Sequence, residues 1–333
     1  MKGEATGPEG IYRGVRVAVL GASGFIGRWV ARALCGQKAN LSLVVRNKTV
    51  AERIFSEYEI EGEIIEAELG DHDTVRRLFR AARPSITFNL AGYGVDSDER
   101  DEASAYRINV RLVESVCKSV AGERDPDWAR QQIVHVGSAL EYGTISGNLS
   151  DDSAPNPTTV YGKTKLAGTC SLARLCKDLE IRSITARLFT VYGPGEHRGR
   201  LLPSLIEASR SKESLRLTAG LQRRDFTYVE DVAEGLLRLG LTKAGAGEIV
   251  NLATGRLTSV RDFAETAARI LRIPNERLEF GAIPTRSEEM EHSEVTVERL
   301  RRTVAWAPPT DIEEGIRKTL DFVGTHNNRP DPD

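Results

Sequence analysis

Three side chains in this sequence could together move a proton to or from an oxygen atom: Ser138, Tyr161 and Lys165. Tyr161 and Lys165 stand four apart in Tyr161-Gly162-Lys163-Thr164-Lys165, a spacing that puts both on one helix face. A tyrosine at its ordinary pKa of about 10 is a poor acid or base at neutral pH. A neighbouring ammonium favours the phenolate and is expected to lower that value. Tyr161 could then give a proton to, or take one from, the oxygen of a carbonyl or an alcohol. Ser138 lies just past an apolar run, in Val136-Gly137-Ser138-Ala139-Leu140-Glu141-Tyr142-Gly143, where its hydroxyl could hold the same oxygen.

A second constellation lies far upstream. Gly21-Ala22-Ser23-Gly24-Phe25-Ile26-Gly27 joins a β-branched run at 15–20 to a helix-like run at 25–34. In that context Gly21 permits a tight turn, Gly24 lets backbone approach a pyrophosphate, and Gly27 lets the helix pack on the strand. The pyrophosphate would sit at the helix N-terminus, where N–H groups and the dipole favour an anion. Gly21, Ser23, Gly24, Phe25, Ile26 and Gly27 are therefore assigned to a dinucleotide. The second strand ends in Val44-Val45-Arg46-Asn47-Lys48. An acidic residue there would bond the ribose 2′-hydroxyl of NAD, whereas Arg46, helped by Lys48, suits the 2′-phosphate of NADP. NADP(H) is expected over NAD(H), with Lys165 also bonding the nicotinamide ribose.

The elements that must position these groups alternate along the chain. Strands are expected at 15–20, 41–45, 63–69, 85–90, 132–137, 182–189 and 248–252, and helices at 25–34, 50–58, 73–82, 103–120 and 161–179. This rhythm predicts an α/β fold, a Rossmann-type doubly wound parallel sheet with a smaller mixed α/β C-terminal lobe for the substrate. The dinucleotide-binding part would span 15–194, with 225–255 returning to it. The substrate lobe would take 195–224 and 256–323, and the polar termini 1–14 and 325–333 would be flexible.

Forty-six basic residues against 48 acidic ones leave a formal charge of -2. That balance supplies no basic field for nucleic acid or an anionic membrane, so an anionic ligand must be held by a few placed residues. No run reaches a membrane-spanning length, and no signal-like segment opens the chain, so a cytoplasmic protein is expected. The four cysteines, Cys35, Cys117, Cys170 and Cys176, lack metal spacing and lie in apolar stretches, which predicts buried free thiols.

These motifs resemble those of the extended short-chain dehydrogenase/reductases, the NAD(P)-dependent sugar-nucleotide epimerases, dehydratases and reductases. The resemblance runs from about Val15 to Phe322. It implies that Glu68 and Leu69 lie near the adenine, that Leu90, Ala91 and Gly92 pack against the cofactor, and that Asn109 fills a frequent asparagine position. Ala186-Arg187-Leu188-Phe189-Thr190-Val191-Tyr192-Gly193-Pro194 is similar to the family's Arg-x-Phe-Asn-x-Tyr-Gly-Pro segment, with Thr190 in place of asparagine. Gln222-Arg223-Arg224-Asp225-Phe226 is similar to its Arg-Asp-Phe segment. Arg224 and Arg286 would then contact the diphosphate of a nucleotide sugar, with Tyr93, Ser138, Ala139 and Thr190 beside the sugar.

The family's dehydratases carry an acid pair after the catalytic hydroxyl, and here Ala139 and Leu140 stand in those places. Two reactions remain: reduction of a nucleotide-linked 4-keto-6-deoxy sugar, nearest in motif, and 4-epimerisation. A third reading, from another class, is a non-catalytic NADP-sensing regulator. The apolar content of the helices at 103–120 and 161–179 suggests a homodimer. Arg46→Asp should narrow the preference for NADPH over NADH by about tenfold, the scale of one charge-assisted contact. Fluorescence titration with both nucleotides checks it, and a wild-type chain that holds them equally refutes it.

Overall fold

Each β-branched run in the first half becomes a short parallel strand, and each amphipathic run a helix laid across the sheet. The computed structural model describes residues 10–94, 99–144, 147–211, 213–243, 245–285 and 292–326. In chain order these give β1 (Arg16–Leu20), α1 (Phe25–Gly36), β2 (Asn40–Val45), α2 (Lys48–Glu57), β3 (Glu63–Glu66), α3 (His72–Ala82) and β4 (Ile86–Asn89). Then come α4 (Glu102–Tyr106), α5 (Leu112–Gly122), β5 (Ile133–Ser138), α6 (Val160–Asp178), β6 (Ser183–Leu188), β7 (Thr190–Tyr192), α7 (Leu201–Arg210) and β8 (Leu215–Leu217). The remainder is β9 (Arg223–Tyr228), α8 (Val229–Gly240), β10 (Ala246–Leu252), β11 (Leu257–Ser259), α9 (Val260–Leu271), β12 (Leu278–Phe280), α10 (Glu298–Val304) and α11 (Ile312–His326).

Seven strands form one sheet in the order β10-β6-β5-β4-β1-β2-β3. Every neighbouring pair in it is parallel. This is the doubly wound Rossmann arrangement, and its strand order reverses between β1 and β4, where ligands bind in such sheets. The later chain adds β7, β9 and β11 as a small sheet and pairs β8 with β12.

Three local features differ from the sequence expectation. The third strand stops at Glu66 because Asp71 caps α3, its carboxylate accepting from the Thr74 amide at 2.8 Å, and Leu69 turns into the core. The long helix expected at 103–120 is interrupted by a π-helical turn at Arg107–Arg111 between α4 and α5. That turn brings the Asn109 carbonyl against Gly168 of α6, where a Cβ would lie 2.0 Å from it. Tyr12 is not in a flexible terminus: it is fully buried, and its hydroxyl donates to the Leu237 carbonyl at 2.7 Å.

Of the cysteines only Cys117 and Cys176 are buried, with their sulfurs 3.6 Å apart between α5 and α6; Cys170 is exposed. Most of α5 is buried within the chain, which accounts for its apolar content without a partner. Among the described residues no helix is long and apolar enough to cross a membrane.

Candidate active site

The glycine loop has the shape a pyrophosphate requires. Gly21 takes a positive φ of 77° and packs on the chain after β4, so that a Cβ would lie 3.0 Å from the Ala91 nitrogen. A Cβ at Gly27 would lie 2.0 Å from the Gly21 carbonyl oxygen. Gly24 opens α1 with no side-chain cap, leaving the first-turn N–H groups facing outward. Phe25 and Ile26 continue from that loop into the wall of the main cleft. The residues present fit a dinucleotide.

Around the loop, Leu90 donates its amide to the Leu20 carbonyl at 3.0 Å, which sets Leu90-Ala91-Gly92 alongside β1. Arg46 is exposed just past β2. Glu68 accepts from the Gly70 amide at 3.0 Å. Asn109 is buried and engaged on every side. Its amide donates to the Tyr93 carbonyl and to Thr164 Oγ1, both at 2.9 Å, while its carbonyl accepts from the Tyr93 amide at 3.0 Å. It therefore ties the loop after β4 to α6. Gly94 of that loop lines the cleft, whereas Tyr93, expected beside the sugar, does not; residues 95–98 lie outside the described residues.

Ser138 ends β5 and Tyr161 begins α6, which Thr159 caps by accepting the Gly162 amide at 3.0 Å. Both side chains line a cleft of about 440 Å³, with the Ser138 hydroxyl near enough to Tyr161 to favour its phenolate. Lys165 lies one turn further along α6, buried, its ammonium donating to the Val136 carbonyl at 2.5 Å. Loss of solvent pushes Lys165 down to about 8, with the Glu141 carboxylate opposing that shift.

The expected lowering of the tyrosine pKa does not hold in the free site. Burial raises Tyr161, the charges of Glu141 and Glu99 add to that, and the hydrogen bond from Ser138 and the charge of Arg200 only partly offset it. The phenol is thus kept protonated, which suits a proton donor.

Glu141 is neither exposed nor free. Its Oε1 accepts the Ser138 amide at 2.8 Å and its Oε2 pairs with Arg187 Nε at 2.9 Å, both side chains being almost wholly buried. The Arg187 guanidinium stacks over the Tyr142 ring at 4.3 Å, and the Tyr142 hydroxyl donates to Asn251 at 2.7 Å. Nothing in the local sequence marks this pair, because its partners are 46 residues apart.

The cleft is also lined by Arg224 on β9, by Thr190 at the start of β7, and by Ala139 and Leu140 next to Ser138. Arg224 is held in place by its neighbour. The Asp225 carboxylate accepts from the amides of Thr254 at 2.9 Å and Gly255 at 2.7 Å, locking β9 to the turn after β10. Arg286 lies outside the described residues. Glu196, His197, Arg200 and His292 also line the cleft, and none of them belongs to the motifs quoted above. Their only sequence signal is proximity to the Tyr-Gly-Pro turn or, for His292, none.

Residues 17–253 match the family described as the NAD dependent epimerase/dehydratase family. The chain belongs to this family. Its members are NAD(P)-dependent sugar-nucleotide enzymes of the extended short-chain dehydrogenase type. The chain is 29% identical over 315 residues to a dTDP-6-deoxy-L-talose 4-dehydrogenase (NAD(P)(+)) of Kitasatospora kifunensis, covering 91% of this chain and 94% of that one. It is 29% identical over 323 residues to a UDP-glucose 4-epimerase of Mycolicibacterium smegmatis, covering 92% and 98%. Among solved structures, the UDP-glucose 4-epimerase of Thermotoga maritima superposes with a TM-score of 0.82 at 19% identity, covering 94% of this chain and 99% of that one. At that identity the superposition establishes a shared fold.

Removing one member of a buried ion pair strands the other, so Glu141→Ala should cost about 3–5 kcal/mol in urea unfolding. An apolar double replacement, Glu141→Leu with Arg187→Met, should recover most of it. A single variant as stable as the wild type would contradict the pair's role.

Proposed function

We propose that this chain reduces the 4-keto group of a nucleotide-linked 6-deoxy sugar with NADPH. The observation that carries the reading is the make-up of the cleft around Ser138. A proton donor and an oxygen-holding hydroxyl meet there, while Ala139 and Leu140 leave no acid pair after the serine. Glu141, the carboxylate nearest in sequence, has its two oxygens engaged by the Ser138 amide and Arg187. Elimination of water through that position is therefore disfavoured.

When bound, the dihydronicotinamide supplies a hydride to C4 of the sugar. Ser138 holds the C4 oxygen, and Tyr161, kept protonated by burial, gives that oxygen its proton. The Lys165 ammonium favours the phenolate left behind and would hold the nicotinamide ribose. Arg224 would take the diphosphate, with Arg286 as its expected second cation. A forked guanidinium suits a diphosphate in a protein without a general positive field. Arg46, exposed past β2, supports NADP(H) over NAD(H).

The Kitasatospora relative is a 4-dehydrogenase of a 6-deoxy sugar, chemically the reverse of the reaction proposed. The mycobacterial relative favours a second reading, 4-epimerisation, which needs the same three residues but no net consumption of cofactor. The reading includes a homodimer, supported by the exposed Tyr106 and Val160 at the ends of α4 and α6. The described groups include no cluster able to hold a metal ion, and the proposed steps require none.

Incubation with NADPH and a panel of nucleotide-linked 4-keto-6-deoxy sugars tests the proposal. One NADPH should be oxidised for each alcohol formed. Tyr161→Phe should lower turnover by at least about a hundredfold, the usual weight of a general acid, while NADPH binding persists. Interconversion of isomers without loss of NADPH absorbance would favour the epimerase. Indifference to Tyr161→Phe would favour a cofactor-sensing regulator.

A further inference from the structure

The cleft wall carries a carboxyl group that none of these steps uses. Glu196 follows the Tyr192-Gly193-Pro194-Gly195 turn, and its side chain is only 6% exposed. Oε1 lies 3.5 Å from Arg200 Nε and the Gly193 backbone lies close enough to favour the anion, but Oε2 is buried and makes no hydrogen bond of good geometry. Buried polar atoms are almost always paired, and an unpaired one on a cleft wall is most simply completed by a ligand. Burial also pushes this carboxyl up to about 7, so near neutrality it is divided between its acid and its anion.

His292 also lines the cleft, with both ring nitrogens buried and unpartnered. Burial and the nearby charges of Arg224 and Arg223 hold it at about 4, so it offers a neutral imidazole. The cleft thus presents two polar side chains that need neutral hydrogen-bonding partners. Arg200, the guanidinium beside Glu196, is already engaged by it.

Resting on the nucleotide-sugar reading above, we propose that Glu196 is a specificity residue whose Oε2 hydrogen-bonds a hydroxyl of the hexose. It thereby confines the chain to nucleotide sugars with an uncharged sugar and rejects hexuronates. A sugar hydroxyl can donate to the carboxylate or accept from the acid, so it satisfies Oε2 in either state. A hexuronate would instead bring a second carboxylate to a buried one, and like charges in a poorly solvated site repel strongly. It would also have to compete with Glu196 for Arg200.

Calorimetric titration of the NADP+-loaded protein with UDP-glucose, dTDP-glucose and UDP-glucuronic acid tests the assignment without depending on turnover. The wild type should bind the better neutral sugar at least about tenfold more tightly than UDP-glucuronic acid. Glu196→Gln keeps the shape and a hydrogen-bonding group but removes the charge. It should narrow that gap by about threefold or more, through tighter binding of UDP-glucuronic acid. Glu196→Ala should weaken both neutral sugars.

Equal binding of UDP-glucose and UDP-glucuronic acid by the wild type, or an unchanged gap in Glu196→Gln, overturns the assignment and leaves the nucleotide-sugar reading intact. Failure of all three to bind, with NADP+ still bound, overturns both.

Discussion

A charge pair sealed beneath Ser138 is the constraint on which the site depends. Burying Glu141 and Arg187 removes two ions from water, and such pairs seldom add stability over well-packed apolar residues. What this pair supplies is position. The carboxylate fixes the Ser138 amide, the guanidinium lies flat on Tyr142, and the Tyr142 hydroxyl reaches Asn251 on β10. Three adjacent strands, β5, β6 and β10, are thereby linked at the end where the cleft opens. Gly137 is the residue that makes room, since a Cβ there would lie 2.6 Å from Glu141 Oε1. Burial is the larger influence on both groups, raising Tyr161 and lowering Lys165; the Glu141 carboxylate adds to the first shift and opposes the second.

The second requirement is that α6 sit at a fixed depth and rotation. Gly168 lets the helix touch the backbone at Asn109, and Asn109 bonds both Thr164 on α6 and the loop at Tyr93. Between these contacts and the Thr159 cap, the first turns of α6 have little freedom. Arg224 is placed with comparable economy through Asp225, whose carboxylate gathers the turn at Thr254 and Gly255. The Ser138–Tyr161 side and the Arg224 side of the cleft are therefore anchored by different carboxylates on different elements.

Much of this was legible in the sequence where local rules apply. The glycine loop declared itself because a tight turn, a helix start and close packing each demand glycine within seven residues. Tyr161 and Lys165 did so because helical spacing puts them on one face. The strand–helix rhythm was enough for a doubly wound sheet.

What was not legible depends on contacts between distant residues. The Glu141–Arg187 pair is one such contact, since only the fold brings Arg187 of β6 to Glu141. The ammonium four residues from Tyr161 suggested a lowered phenol, but burial and Glu141 outweigh it. Tyr12 sits in a polar stretch yet fills a core position, and the break in the helix at Asn109 coincides with its close contact to Gly168 of α6. Glu196 and His292 carry no motif, and only the shape of the cleft brings them into view.

The central claim, that the buried Glu141 charge tunes Tyr161 and Lys165 for the proposed proton transfer, is tested most directly by one pH profile. NADPH-dependent turnover should fall as pH rises through about 8, where Lys165 loses its proton and with it the ammonium. In Glu141→Gln, confirmed as folded by retained NADPH binding, the carboxylate that supports the ammonium is gone. The alkaline limb should then move to lower pH. A limb that stays in place in that variant, or a wild-type profile with no alkaline limb, would contradict the account.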